Sequence, residues 1–295
     1  MNEREVLKWL KMKVPYAGDD CAILPFRDTQ LVLTTDMLFE PADFPKGTTP
    51  YTMGWRTVAV SLSDIAAMGS TPLGVVVALG APEFEQEFLE EVLKGLQDCC
   101  NHVQAPYVGG DLSRHSVLTL VSSAVGESRE PIKRSGAKHG DLVCVTGQLG
   151  RTAAALKLFA NKKLDEANEL FCFTPRINEG LSLAPFATSM MDISDGLARS
   201  LYQMSEAGGV GFQISHEKIP VTREVQSLSS TKMERDEMAL YTGEDFELLF
   251  TISKTNLQAA QRIAAFRVIG EVIKDGIFLE EDGKITELND RGYEH

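Results

Sequence analysis

Short apolar runs alternate with longer stretches of helical period along this chain. Leu31-Val32-Leu33-Thr34-Thr35 reads as a strand, with Asp36 at its C-terminal end. The residues from about Thr49 to Met68 read as a helix that Gly69 and Pro72 stop. Small side chains crowd its later turns: Ala59, Ser61, Ser63, Ala66 and Ala67. They permit close backbone approach, so Asp64 is expected to point into a tight site. Leu73 to Leu79 reads as a buried strand. Pro82 opens a second helix, with Phe84, Phe88, Val92, Leu96 and Val103 forming an apolar stripe. Tyr107-Val108 then runs into Gly109-Gly110-Asp111, and Val117 to Val125 is another strand.

Gly126 to Gly140 is charged, contains glycine and carries Pro131, so the domain boundary is placed there. The expected domains are residues 1–128 and 129–295. The second half opens with a strand over Leu142 to Thr146, then Gly147-Gln148-Leu149-Gly150 and a helix through Phe159. Lys162 to Glu169 is polar and reads as exposed. Pro175-Arg176 starts a helix. Ser189 to Ile193 leads into Asp195-Gly196 and a helix through Glu206, which Gly208-Gly209 ends. Val210 to Ile214, Phe246 to Ile252, Arg267 to Val272 and Gly276 to Glu280 read as later strands. The elements mix without a strict βαβ period, which favours α+β over a doubly wound sheet. No repeat of 20 to 50 residues is visible.

Composition narrows the function. The chain has 295 residues, 43% of them apolar, enough for packed cores. Its formal net charge of −13 argues against nucleic acid, since no basic run is present to neutralise a phosphate backbone. The longest apolar stretch, around Leu73 to Ala81, is too short to span a bilayer. Met1 to Lys13 reads as a short amphipathic helix without a signal-peptide core. Five cysteines with no C-x-x-C fit reduced thiols in a cytoplasm. No paired histidine spacing points to zinc.

The aspartates change the picture. Gly18-Asp19-Asp20, Thr34-Thr35-Asp36, Ser63-Asp64, Gly109-Gly110-Asp111, Asp192-Ile193-Ser194-Asp195-Gly196 and Gly243-Glu244-Asp245 place carboxylates beside apolar runs. Such carboxylates are costly unless something positive meets them. Magnesium prefers carboxylates together with substrate phosphates. A single aspartate is equally a turn or cap residue. Asp64, inside a helix, and Asp36 and Asp111, after β-rich runs, resist that account. There is no P-loop and no G-x-G-x-x-G fingerprint. Gly147 and Gly150 flank a strand-to-helix turn, which is either plain turn chemistry or a place to present N–H groups to an anion. Arg134 reads equally as a solvated linker residue or as a forked donor to phosphate.

Several segments together resemble the thiamine-monophosphate kinase family of the aminoimidazole-ribonucleotide-synthetase-like superfamily. They are Asp19-Asp20-Cys21-Ala22, Thr34-Thr35-Asp36, the run from Ala59 to Gly69, Gly109-Gly110-Asp111, Arg134-Ser135-Gly136-Ala137, Asp192 to Leu197, Gly243 to Leu248 and the closing Gly292-Tyr293-Glu294-His295. They follow in order over nearly the whole chain. The resemblance implies an α+β fold of two domains. It implies an N-terminal sheet that pairs across a homodimer into a barrel, and a C-terminal α/β sandwich. The implied reaction is ATP plus thiamine monophosphate giving ADP plus thiamine diphosphate. Carried over by position, ligands for several Mg2+ ions are Asp20, Thr34, Thr35, Asp36, Asp64, Asp111, Asp192 and Asp195. ATP contacts are Gly110, Asp111, Arg134 and Ser194. Substrate contacts are Asp43, Glu244 and Tyr293. Asp43 stands where some relatives have a histidine, and Asp290 where some have a stacking aromatic.

Chemically, the acceptor is a phosphate oxygen that is already anionic, so little general-base help is needed. Direct in-line transfer is expected, with no covalent or acid–base residue. The partners implied are ATP and thiamine monophosphate, with no nucleic acid and no membrane. Two alternatives stand beside this reading. One is another ATP-using enzyme of the superfamily, such as a selenophosphate or aminoimidazole ribonucleotide synthetase. The other is a non-catalytic divalent-metal-binding module, which no EF-hand pattern supports.

Overall fold

The structure, a computed structural model, describes residues 3–14, 16 and 18–293. The closing Glu294-His295 of the C-terminal motif lie outside the described residues. The N-terminal half contains α1 (Glu3–Lys13), β1 (Ala22–Phe26), β2 (Thr29–Phe39), α2 (Pro50–Ala67), β3 (Thr71–Ala81), α3 (Gln86–His102), β4 (Tyr107–Arg114) and β5 (Thr119–Ser128). Its sheet runs in the order β1-β2-β5-β3-β4, antiparallel except for the β3–β4 pair. Alternation sorts the strands' two faces. Val32, Thr34 and Leu38 of β2 and Leu120, Ser122 and Ala124 of β5 are buried on the face that α2 covers. The other face stays open, with Leu33, Met37, Leu73, Val76 and Val108 exposed.

Helix α2 starts where Thr49 caps it, accepting from the Thr52 N–H at 3.2 Å, with Pro50 at its first position. It is buried on nearly every side, because the N-terminal sheet, α3 and the C-terminal half all pack on it. Two glycines set its crossing with α3. A Cβ on Gly54 would lie 2.1 Å from the Val92 carbonyl oxygen, and one on Gly95 would lie 2.0 Å from that of Tyr51. Helix α3 begins at Gln86 rather than at Pro82, so the expected stripe loses its first member: Phe84 precedes the helix and is exposed. Strand β4 does not stop before the double glycine; it continues through Asp111 to Arg114.

The C-terminal half contains β6 (Leu142–Thr146), α4 (Arg151–Ala160), α5 (Leu164–Phe171), α6 (Ile177–Leu183), β7 (Ala187–Asp192), α7 (Leu197–Gly208), β8 (Gly211–Ser215), α8 (Arg223–Leu228), α9 (Lys232–Asp236), β9 (Leu248–Ile252), α10 (Leu257–Gln261), β10 (Phe266–Ile273), β11 (Ile277–Glu281) and β12 (Lys284–Glu287). Its mixed sheet has the order β12-β11-β8-β10-β6-β9-β7. One face joins a core that runs without a break into the N-terminal half, through Ile65, Met68, Cys144, Met190, Leu248 and Phe250. The opposite face packs Val143, Val145, Met191 and Leu249 against Leu197, Leu201 and Met204 of α7. The segment expected to be polar and exposed from Lys162 to Glu169 is mostly helix α5, with Ala167 and Asn168 buried. The reason is docking. Asn168 Oδ1 accepts the Thr49 N–H at 2.8 Å and its Nδ2 donates to the Gly47 carbonyl at 2.9 Å, which ties α5 to the start of α2. The five cysteines are free thiols. Among the described residues no helix is long and apolar enough to cross a membrane.

Candidate phosphoryl-transfer site

Three carboxylates converge where the two halves meet. Asp20 comes from the loop before β1, Asp64 from the last turn of α2 and Asp192 from the end of β7; one oxygen of each lies within 4.8 Å of the others. Local sequence explains the delivery. In β2, alternation turns Thr34 and Asp36 towards α2, while the helical period brings Ser61 and Asp64 onto one side of the helix. The Thr34 hydroxyl donates to Asp64 Oδ2 in a close contact. Ser61 Oγ donates to Asp36 Oδ2 at 2.6 Å and also meets Ser122 Oγ at 2.6 Å. Ser63 Oγ reaches across to the C-terminal half and donates to Asp192 Oδ2 at 2.6 Å.

The cluster is electrostatically frustrated. Burial, then the charges of Asp36, Asp192 and Asp20, push the Asp64 carboxyl well above the usual carboxylate range. Asp192 is pushed up to about 8, by burial first and then by Asp20. Asp36 is raised by burial, against the Ser61 hydrogen bond that lowers it. Asp20 Oδ2 is buried and, among the described residues, has no hydrogen-bond donor. An all-oxygen donor set with an orphaned buried carboxylate oxygen fits a hard divalent cation, which would remove the mutual repulsion.

Arg134 supplies the positive charge at the rim. Its Nη2 and Nε donate to Asp20 Oδ1 at 2.7 and 3.3 Å, and its backbone N–H donates to Asp19 Oδ1 at 2.6 Å. Burial works against the guanidinium charge, but the neighbouring Asp20, Asp192 and Asp64 raise its pKa overall.

The remaining expected residues are not part of the three-carboxylate group, and each has its own setting. Thr35 faces the open side of β2 and donates to the Ser122 carbonyl at 3.0 Å. Gly110 and Asp111 lie on β4, where Gly110 runs so close to β3 that a Cβ would sit 1.7 Å from the Val77 carbonyl oxygen; Asp111 is exposed and outside the three-carboxylate group. The Ser194 carbonyl accepts the Glu244 N–H at 2.5 Å, and the Asp195 carbonyl accepts the Tyr293 N–H at 3.1 Å. The C-terminal tail is thereby laid against Asp195, with the Tyr293 ring partly exposed. Asp290 pairs with Arg199 at 2.7 Å. Asp43 is buried and accepts the Phe39 N–H at 2.8 Å, bracing the turn after β2. The glycine turn before α4 is taken by the chain itself: Asp245 accepts the Gly150 N–H at 2.7 Å and the Thr152 N–H at 3.3 Å, as a cap does.

Sequence reasoning passed over Ser61, Ser63 and Asp19 as working residues. Ser61 carried one available signal: it stands three positions before Asp64, on the same helical face. For Asp19 there was only its adjacency to Asp20.

The comparisons with known proteins agree with this layout. Residues 18–128 match the AIR synthase related protein N-terminal domain, and residues 138–280 match the C-terminal domain. The chain is 42% identical to thiamine-monophosphate kinase of Halobacterium salinarum over 299 residues, covering all of both chains. It is 43% identical to that of Methanospirillum hungatei, covering 100% of this chain and 99% of the relative. A solved structure described as AaThiL complexed with AMPPCP and TMP superposes with a TM-score of 0.90 at 29% identity, covering 100% of this chain and 97% of that one. Full-length identity at this level, over both halves and in a shared α+β fold, places the chain in the thiamine-monophosphate kinase family of the AIR synthase related proteins.

Proposed function

We propose that this protein transfers the γ-phosphoryl group of ATP to thiamine monophosphate, forming thiamine diphosphate and ADP. The observation that carries the reading at the site is the Asp20–Asp64–Asp192 cluster, set between two halves that both match the family. In the transfer, a bond forms between a phosphate oxygen of the acceptor and the γ-phosphorus. The bridging P–O bond breaks, and its electron pair leaves on the β-phosphate of ADP. The attacking oxygen is already anionic, so repulsion and alignment set the barrier.

The chain's own residues address both. Asp20, Asp64 and Asp192 form the centre of the proposed site for several Mg2+ ions, with Thr34, Asp36 and Asp195 beside it and with Thr35 and Asp111, on the open side of the sheet, as ligands of a further ion. When bound, Mg2+ supplies positive charge between the two phosphates. Ser61, Ser63 and the Thr34 hydroxyl hold their carboxylates in place before any ligand arrives. Arg134 exchanges its Asp20 pairing for nucleotide phosphate, with Gly110, Asp111 and Ser194 beside it. Glu244 complements the cationic thiazolium ring, with Tyr293 as a further substrate contact. Asp43 remains the brace of its turn. The working division is residues 1–128 for metal, nucleotide and dimer contacts and 129–295 for completing the site. The assembly is a homodimer whose N-terminal sheets pair into a barrel.

The test is direct. Purified protein, Mg2+ and ATP are incubated separately with thiamine monophosphate and with thiamine. Thiamine diphosphate should form from the monophosphate. Thiamine should react poorly or not at all, because its neutral hydroxyl needs a base that the site does not obviously supply. Equal use of thiamine would overturn the anion-alignment argument.

A further inference from the structure

Arg56 sits on α2 two turns before Asp64, and its side chain is among the largest that are fully buried. It crosses into the C-terminal half. Its guanidinium lies 3.6 Å from the centroid of the Phe171 ring, and Nη1 donates to the Phe171 carbonyl at 2.9 Å. Phe173 and Phe246, themselves stacked at 4.3 Å, line the next side at 5.4 and 5.9 Å. Nη2 faces Glu244 Oε1 at 3.1 Å in an ion pair. Among the described residues neither Nε nor Nη2 makes a hydrogen bond.

As packing this is an expensive choice. A buried charge with donors left over costs stability that an apolar side chain of similar volume would not. Glu244 is expensive too. It is not glycine yet has φ of 56°, in the left-handed region, and Phe246 follows at 51°. That backbone is held from the C-terminal half alone, by the Ser194 carbonyl at 2.5 Å and by the Thr152 hydroxyl, which donates to the Glu244 carbonyl at 2.6 Å. Its carboxylate is held from the other half, by Arg56. Among the described residues Oε2 has no hydrogen-bond donor, and the side chain is about a quarter exposed, at 25%. One rigid helix therefore carries both Asp64 and the holder of Glu244, about 12 Å apart along its axis.

We propose that Arg56 is a positioning residue for the acceptor: it fixes the Glu244 carboxylate at a set distance from the Asp64 end of α2, so that the thiamine moiety and the phosphate are held in one register. This rests on the proposed contact between Glu244 and the thiazolium ring. A planar fork stacked on a ring fixes direction as well as charge, which lysine cannot do.

The experiment is steady-state kinetics with each substrate varied, on Arg56→Lys, Glu244→Gln and the double variant. Arg56→Lys should raise KM for thiamine monophosphate by about tenfold while KM for ATP stays within about twofold, because only one substrate loses its partner. The double variant should be no worse than Glu244→Gln alone, since the two act as a unit. If the two effects multiply in full, or if Arg56→Lys changes only kcat or only the ATP dependence, the positioning role is wrong. If Glu244→Gln itself leaves KM for thiamine monophosphate unchanged, the underlying contact is wrong and the inference falls with it. Should Arg56→Lys not fold, Phe171→Leu removes the ring under the guanidinium and keeps the ion pair. An unchanged KM for thiamine monophosphate in that variant overturns the proposal as well.

Discussion

At the scale of single residues, position within an element is what made some of the site legible. Asp64 stood out in the sequence because a carboxylate inside a small-residue helix has no turn or cap to serve. In the structure it lies among Asp20, Asp36 and Asp192, held by the Thr34 hydroxyl. Ser61 and Ser63 did not stand out, because serine in a tightly packed helix serves packing equally well. Only the folded chain shows them donating to Asp36 and Asp192. Asp64→Asn separates shape from charge. The amide keeps an oxygen for Thr34 but removes one of the mutually repelling charges. Activity should fall by about 10²-fold or more, the cost expected when a reacting geometry is misplaced. The ligand-free protein should melt no lower than the parent, and each kcal/mol of relieved repulsion would raise its melting temperature by about 2–4 °C. The stabilisation that Mg2+ gives the parent should shrink or vanish. Near-normal turnover in Asp64→Asn would sink the shared cluster, and a large drop in melting temperature would mean that the repulsion argument is wrong.

At the scale of elements, most strands and the larger helices could be read from period and punctuation. What could not be read were elements defined by long-range docking. Helix α5 read as polar and exposed because its buried side is turned to the start of α2, and no local pattern announces that contact. The glycine turn before α4 left plain turn chemistry and anion binding both open for the same reason: Asp245, which occupies it, lies far along the chain. That cap carries a pH signature. Burial pushes the Asp245 carboxyl up to about 7, against the N–H groups of Gly150 and Thr152 that lower it. A carboxyl raised in the folded state contributes most when both states are protonated, below about pH 4, and loses that contribution as pH rises through about 7. Asp245→Asn removes the titration while keeping an oxygen for the Gly150 N–H. Melting temperatures of the parent and of Asp245→Asn should therefore diverge between pH 5 and pH 8, the parent losing ground as pH rises. A difference that grows in the parent's favour with pH would mean that the backbone donors, not burial, control the group.

At the scale of the whole molecule, the resemblance implied N-terminal sheets that pair across a homodimer, and the structure shows an exposed apolar face on that sheet. Met37 is 59% exposed and Val108 63%, with Leu33, Leu73 and Val76 on the same open side. Alternation put these residues there, because the positions between them are spent on the core beneath α2 and α3. An apolar face of this extent is unusual on a monomer. In the proposed homodimer a second copy would supply the matching chemistry: the same face turned about a two-fold axis, with β1 and β4 at the edges of each sheet available to close a barrel. A stable pairing of this kind buries about 1,200–2,000 Å² in total. Charge placed in the middle of such a face is desolvated twice, once in each copy, so Met37→Glu together with Val108→Glu should split the dimer without touching either core. Light scattering after gel filtration at micromolar concentration should report a dimer for the parent and a monomer for the double variant. Far-UV circular dichroism should stay unchanged. A parent that is monomeric and fully active at that concentration would remove the dimer from the account, and the exposed face would then need another partner to explain it.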